Sequence, residues 1–179
     1  MIQTIKYLKL GNLKQSRAFS VISDLGIMDD LSEYHPTLCG TLPLGIDIEG
    51  SDLDIIMEVA NFNQFEKKVK TLYGDQENFI LKKLIIRDFP VIKANFIYKE
   101  FEFELFGQQQ PVNRQYAYLH MIIENVILEQ LPLIKEEVIR LKEQGYKTEP
   151  AFCKVLGLEG DPYERLVEFG KEKGFIEIV

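Results

Sequence analysis

A chain of 179 residues with 46% hydrophobic side chains and 12 Phe can bury a real core. It is long enough for one domain, or for a small core with a helical appendage. A net charge of −7 excludes a non-specific DNA or RNA binder, which needs a basic face to displace counter-ions. No apolar run approaches the length of a membrane span, including the start Met1–Lys6, so no membrane partner is expected. Cys39 and Cys153 are far apart and form no metal pattern, which reads as two reduced thiols in a cytoplasmic protein.

In chain order, Phe19, Ile22 and Leu25 recur at helical spacing, predicting a helix over 13–25 that Gly26 stops. His35-Pro36 breaks the chain, and residues 37–39 begin a strand that enters a turn at Gly40. Residues 52–59 form the second strand. Phe62, Phe65, Val69, Leu72 and Tyr73 again have helical spacing, with Asn61 as cap and Gly74 as stop. Residues 79–87 and 91–98 read as strands around a turn at Asp88-Phe89-Pro90, and Lys99-Glu100 turns the chain into a strictly alternating strand, Phe101–Phe106. Beyond Pro111 the pattern becomes helical, over 112–130, 132–144, 149–157 and 161–173. Strands followed by helices argue an α+β class. We divide the chain at residue 110, with 1–110 as the α/β core and 111–179 as a C-terminal helical region packed on it.

Between the Gly40 turn and the second strand lies the segment richest in chemistry. Asp52 and Asp54 are one residue apart, so in an extended chain they project from the same side, while Leu53 and Ile55 point toward a core. Two carboxylates side by side repel unless a cation lies between them. A hard ion such as Mg²⁺ suits them, because it takes few protein carboxylates and leaves room for phosphates. Gly40 lets backbone approach a phosphate closely, and the Thr41 hydroxyl can bind its oxygens. Asp47 and Glu49 enlarge the acidic stretch, but Gly50 stands at the wrong distance for an EF-hand loop.

Cys39-Gly40-Thr41, a spacer of ten residues, and Asp52-Leu53-Asp54-Ile55 resemble the nucleotidyltransferase superfamily that includes DNA polymerase beta. Gly45 and Ser51 fit its finer pattern. The runs Gly-Thr-Leu-Pro-Leu-Gly-Ile-Asp, Ser-Asp-Leu-Asp-Ile-Ile and Glu104-Leu105-Phe106-Gly107-Gln108 further resemble a bacterial family of unknown function grouped with minimal nucleotidyltransferases.

The resemblance implies a mixed β-sheet with flanking helices, then a helical half. It implies Mg²⁺ or Mn²⁺ as cofactor and an NTP as substrate, with phosphates near Gly40, Thr41, Gly45 and Ser51. Asp52 and Asp54 would hold two ions. A third carboxylate on a later strand would bind metal or act as base; Glu104 is the candidate, rather than Glu102 two residues earlier on the same face. Gly107 would let the chain turn beside the site.

The chain departs from the superfamily by carrying Thr41 for its Ser, and Leu42, Pro43 and Leu44 where a phosphate-binding Arg often follows. Lys82, Lys83 and Arg87 read as a solvated cluster, from which one residue could replace that Arg. His120 and Glu124 share a helix face; with Arg114, Gln108 and Gln115 they read as ordinary polar contacts of a surface helix, the alternative being contact with nucleotide or acceptor. The expected activity is transfer of a nucleoside monophosphate to an acceptor hydroxyl of a small molecule, protein or RNA. The alternative is a non-catalytic nucleotide-binding or antitoxin-like module on the same fold.

Overall fold

Strict alternation along two strands decides the architecture. Leu53, Ile55 and Met57 on one strand, and Phe101, Phe103 and Leu105 on another, bury on one face of the sheet; Ile56 and Phe106 pack on the opposite face. A sheet that is apolar on both faces needs two covers. The N-terminal helices supply one, and the helices after residue 115 supply the other.

A computed structural model describes residues 5–177. Most of the N-terminal stretch read above, Met1–Thr4, lies outside the described residues. The helices are α1 (Leu13–Leu25), α2 (Ile27–Asp30), α3 (Phe62–Tyr73), α4 (Tyr116–Gln130), α5 (Lys135–Glu143), α6 (Thr148–Leu156) and α7 (Pro162–Glu172). The strands are β1 (Thr37–Cys39), β2 (Leu53–Glu58), β3 (Glu77–Ile86), β4 (Phe89–Tyr98) and β5 (Phe101–Gln108). They form one five-stranded mixed sheet in the order β1-β2-β5-β4-β3. Among the described residues β2 and β5 run parallel, and the other pairs are antiparallel.

Local chemistry sets the boundaries. Asn12 caps α1 in a reciprocal box with Gln15, and Gly26 at φ 72° ends that helix. The Asn61 side chain accepts from the N–H groups of Asn63 and Gln64 at the start of α3. One face of the sheet packs with α1 and α3 around Phe65, Phe96 and Phe103. The other packs with α4 to α7 around Ile56, Ile123, Phe152 and Leu166.

Three expectations are corrected. The β3–β4 turn consists of Arg87 and Asp88, both at positive φ, a two-residue connection that matches strand twist. Phe89 and Pro90 therefore belong to β4. Pro90 lies one position beyond Val91, where pairing with β5 ends, so its missing N–H disrupts nothing on that side. The stretch 112–130 is not one helix. A 3₁₀ turn, Val112–Arg114, is broken from α4 by Gln115 in extended conformation. Gly107 makes no turn either: it lies inside β5, where a side chain would strike Val59 and Ile92.

Candidate functional site

β2 and β5 are parallel neighbours in a register that sets Asp54 opposite Glu104. Asp52, two residues before Asp54, projects from the same face. Each of the three carboxyls offers an oxygen within 4.8 Å of the others. Glu102 is exposed on the same strand, accepts a bond from Asn95, and lies outside the group.

The turn after β1 closes on this cluster. Cys39 pairs with Asp54 across β1 and β2, which brings Gly40 next to the carboxylate. Gly40 has φ 76°, and a Cβ there would lie 2.1 Å from Asp54 Oδ2. Glycine is required twice over, by conformation and by space. The Thr41 carbonyl accepts from the N–H groups of Leu44 and Ile46, which winds the following residues into a tight turn. Leu42 and Leu44 are buried core residues on either side of the sheet. The positions where a phosphate-binding Arg often follows are thus spent on packing.

These residues open into a cleft of about 830 Å³ between the sheet and the C-terminal helices. Gly40, Thr41, Ser51, Asp52, Asp54 and Glu104 all line it. The Ser51 hydroxyl accepts from the Ile48 N–H at 2.9 Å, so it holds the loop that leads into Asp52. Gly45 does not line the cleft; its neighbours are Lys135, Gln15 and Asn12.

Crowding of like charge shows in the acid strengths. Burial, then the charges of Asp52 and Glu104, push Asp54 up to about 8, with Lys93 opposing. Asp52 is also raised, by burial and then by Glu104. Hard oxygen donors, short separations, a glycine-lined approach and three carboxyls against one nearby ammonium together fit a small divalent ion such as Mg²⁺ or Mn²⁺.

Of the three clustered basic residues, Lys82 and Lys83 are solvated as expected and Arg87 reaches the cleft. Lys83 turns to the far face of the sheet and bonds Glu66 and Asn63. Lys82 is exposed outside the cleft. Arg87 does reach it: from the hairpin tip it pairs with Glu164, lies 3.8 Å from Asp161, and stacks over the Tyr116 and Tyr163 rings. Lys93, which the motif did not single out, lies 2.5 Å from Glu104. Its place was half visible, since Ile92, Ala94 and Phe96 alternate with Lys93 and Asn95.

A second polar group forms the helical wall. His120 Nε2 lies 2.8 Å from the Tyr163 carbonyl, which can only accept, so that nitrogen carries a proton. Its Nδ1 lies 3.2 Å from Glu149. Burial alone would raise Glu149, but His120 and lesser partners bring it below the usual carboxylate range. Glu124 is 3% exposed, and its Oε1 has no hydrogen-bond partner among the described residues. Burial, then the Glu149 charge, pushes its pKa well above the usual carboxylate range, with Lys142 opposing. The Lys142 ammonium donates to the Ile46 carbonyl at 2.6 Å, and burial brings that lysine down to about 8. Gln115, buried, donates to the Met57 and Gln110 carbonyls and ties the start of α4 to the end of β2. Gln108 lines the cleft, whereas Arg114 is exposed outside it.

With this geometry in hand, comparison with known proteins is informative. No curated protein matches the chain by sequence. Among solved structures, a mutant of the Cid1 poly(U) polymerase bound to MgATP superposes with a TM-score of 0.52 at 17% identity, over 71% of this chain and 41% of that one. The same polymerase with Mg 3′-dATP bound gives 0.51 at 16% identity, over 77% of this chain and 45% of that one. The chain thus spans less than half the length of these structures, and the likeness is one of fold: an α+β nucleotidyltransferase-like sheet with flanking helices. Residues 20–169 match the family described as "Domain of unknown function (DUF4269)", and the chain belongs to that family.

Proposed function

We propose that this protein is a metal-dependent nucleotidyltransferase that moves a nucleoside monophosphate from an NTP to an acceptor hydroxyl. One observation carries the reading: three carboxylates from adjacent strand positions converge within 4.8 Å, beside a glycine that must be glycine, in an open cleft. The nucleotides bound by the polymerase structures of like fold support it.

Asp52 and Asp54 would hold the ion, with Glu104 as the third carboxylate. When bound, a divalent ion supplies Lewis-acid stabilisation of phosphate charge and acidifies a nearby hydroxyl. The chain's own residues do the positioning. Gly40 would let the phosphates approach the turn, where Thr41 also lines the cleft and would offer its hydroxyl to them. Glu104 would bind the ion or accept the acceptor's proton as the acceptor's oxygen bonds to the α-phosphorus. The bond to pyrophosphate breaks in the same displacement, and pyrophosphate leaves with the electron pair. Fixed groups aimed at developing charge give this arrangement its catalytic power. Nucleotide is the partner; a small molecule, a protein and an RNA end all remain acceptors to test.

The second reading, a nucleotide binder without turnover, draws on the buried leucines after Thr41 and on Arg87 being occupied by Glu164. Thermal shift with each NTP, with and without Mg²⁺, tests both readings through ligand linkage. Nucleotide and metal together should raise the Tm, and neither should do so in an Asp52→Asn, Asp54→Asn double variant. A Tm that ignores every NTP sinks both readings. Stabilisation without pyrophosphate release, across small-molecule, protein and RNA acceptors, favours the binder.

A further inference from the structure

The row of groups across the sheet is ordered. Gly40 follows β1, Asp54 is on β2, Glu104 on β5 and Lys93 on β4, so Gly40 and Lys93 flank the acids from opposite sides. On the Gly40 side, backbone without a side chain leaves Asp52 and Asp54 open to the cleft. On the other side, the Lys93 ammonium lies 2.5 Å from Glu104 Oε2, the two side chains being only 31% and 19% exposed.

This placement is built into the sheet. Lys93 is opposite Phe106 on β5 and opposite Lys82 on β3. Paired residues share a face, so two lysines stand side by side beyond Glu104. A divalent ion approaching Glu104 from that flank meets an ammonium already on the carboxylate and a second cation behind it. One approaching Asp52 and Asp54 meets neither directly. The charges also close: three carboxylates are balanced by one divalent ion and one ammonium.

We propose that Lys93 is a resident counter-ion of the acidic cluster, compensating Glu104 so that the cluster holds a single divalent ion, on Asp52 and Asp54. This deepens the nucleotidyltransferase reading and rests on its metal-binding part. It departs from a site in which two ions share the three acids.

Calorimetric titration with Mn²⁺ alone tests this on four proteins: wild type, Lys93→Met, Lys93→Arg and the Lys93→Met, Glu104→Gln double variant. Met keeps the stem of the lysine and Arg keeps its charge, and circular dichroism and Tm verify each fold. Wild type and the Arg variant should bind one Mn²⁺ per chain. The Met variant should bind two, the first at least about fivefold more tightly, because a like charge has been removed. The double variant should return to one. Two ions in wild type overturn the proposal and leave metal binding intact. A Met variant that binds one ion, no more tightly than wild type, also overturns it and leaves Lys93 as a prop for Glu104. Wild type that takes no Mn²⁺ removes the metal-dependent reading itself, and this inference with it.

Discussion

Gly40 and Asp54 illustrate how much one missing Cβ can decide. The space a side chain would fill at residue 40 is already held by the Asp54 carboxylate, at 2.1 Å. Gly40→Ala therefore incurs two costs: left-handed backbone strain, about 1 kcal/mol, and displacement of the carboxylate. We expect lower Tm and weaker Mn²⁺ binding than in wild type. A double-mutant cycle separates the two costs, because in an Asp54→Ala background only the strain remains. Equal destabilisation in both backgrounds would show that the carboxylate is not what glycine makes room for. Gly40 and Thr41 were legible as a turn because small and hydroxyl residues favour turns. That the turn abuts the second Asp depends on the pairing of Cys39 with Asp54 across β1 and β2.

At the scale of elements, the β3–β4 hairpin shows local sequence and tertiary contact acting together. Its tip turns on Arg87 and Asp88, and Arg87 reaches over the cleft to Glu164 on α7 and to the Tyr116 and Tyr163 rings. Exposed ion pairs contribute about 0–1 kcal/mol and cation–π contacts about 0.5–1. Arg87→Ala should therefore cost little globally, lowering the Tm by about 2–4 °C per kcal/mol lost. Locally it should matter more: amide exchange across Leu84–Val91 should accelerate while β2 and β5 stay protected. Unchanged exchange at the tip would mean that Arg87 does not latch the hairpin. The strands were readable from their alternation and the helices from their spacing. The turn was misplaced because Pro90 looks like a breaker, and only the point at which β5 stops pairing shows why it is tolerated in β4.

For the whole molecule, the −7 charge meets a cleft whose acids are held close and partly dry. Glu124 has its folded pKa raised well above that of the unfolded chain, so it is the weaker acid when folded. A carboxyl of this kind binds its proton more tightly folded than unfolded. Stability is then greatest below the unfolded value and falls as pH rises through the folded one. Asp54, pushed up to about 8, acts in the same direction. In chelator-treated protein, Glu124→Gln should match wild type near pH 5 and exceed it increasingly toward pH 9. The final gap should be about 1–3 kcal/mol, the cost of an uncompensated buried polar group. Denaturant melts across that range check it; parallel curves would mean that Glu124 is compensated in the folded state. By itself the sequence determined what short-range chemistry dictates: the α+β class, strand faces, helix caps, and the one-sided pair Asp52 and Asp54. Tertiary structure alone decided the rest. Alternation states which face a side chain takes but not which strand lies beside it, so β5 register, and with it Glu104 against Asp54, could not be read from residues 101–108 alone. The same limit hid Lys93, a strand residue of ordinary spacing until β4 is set next to β5. It also hid the meeting of His120 and Glu124, a pair legible on one helix face, with Lys142 and Glu149 from two other helices, because that packing depends on apolar faces far from the charges they bring together.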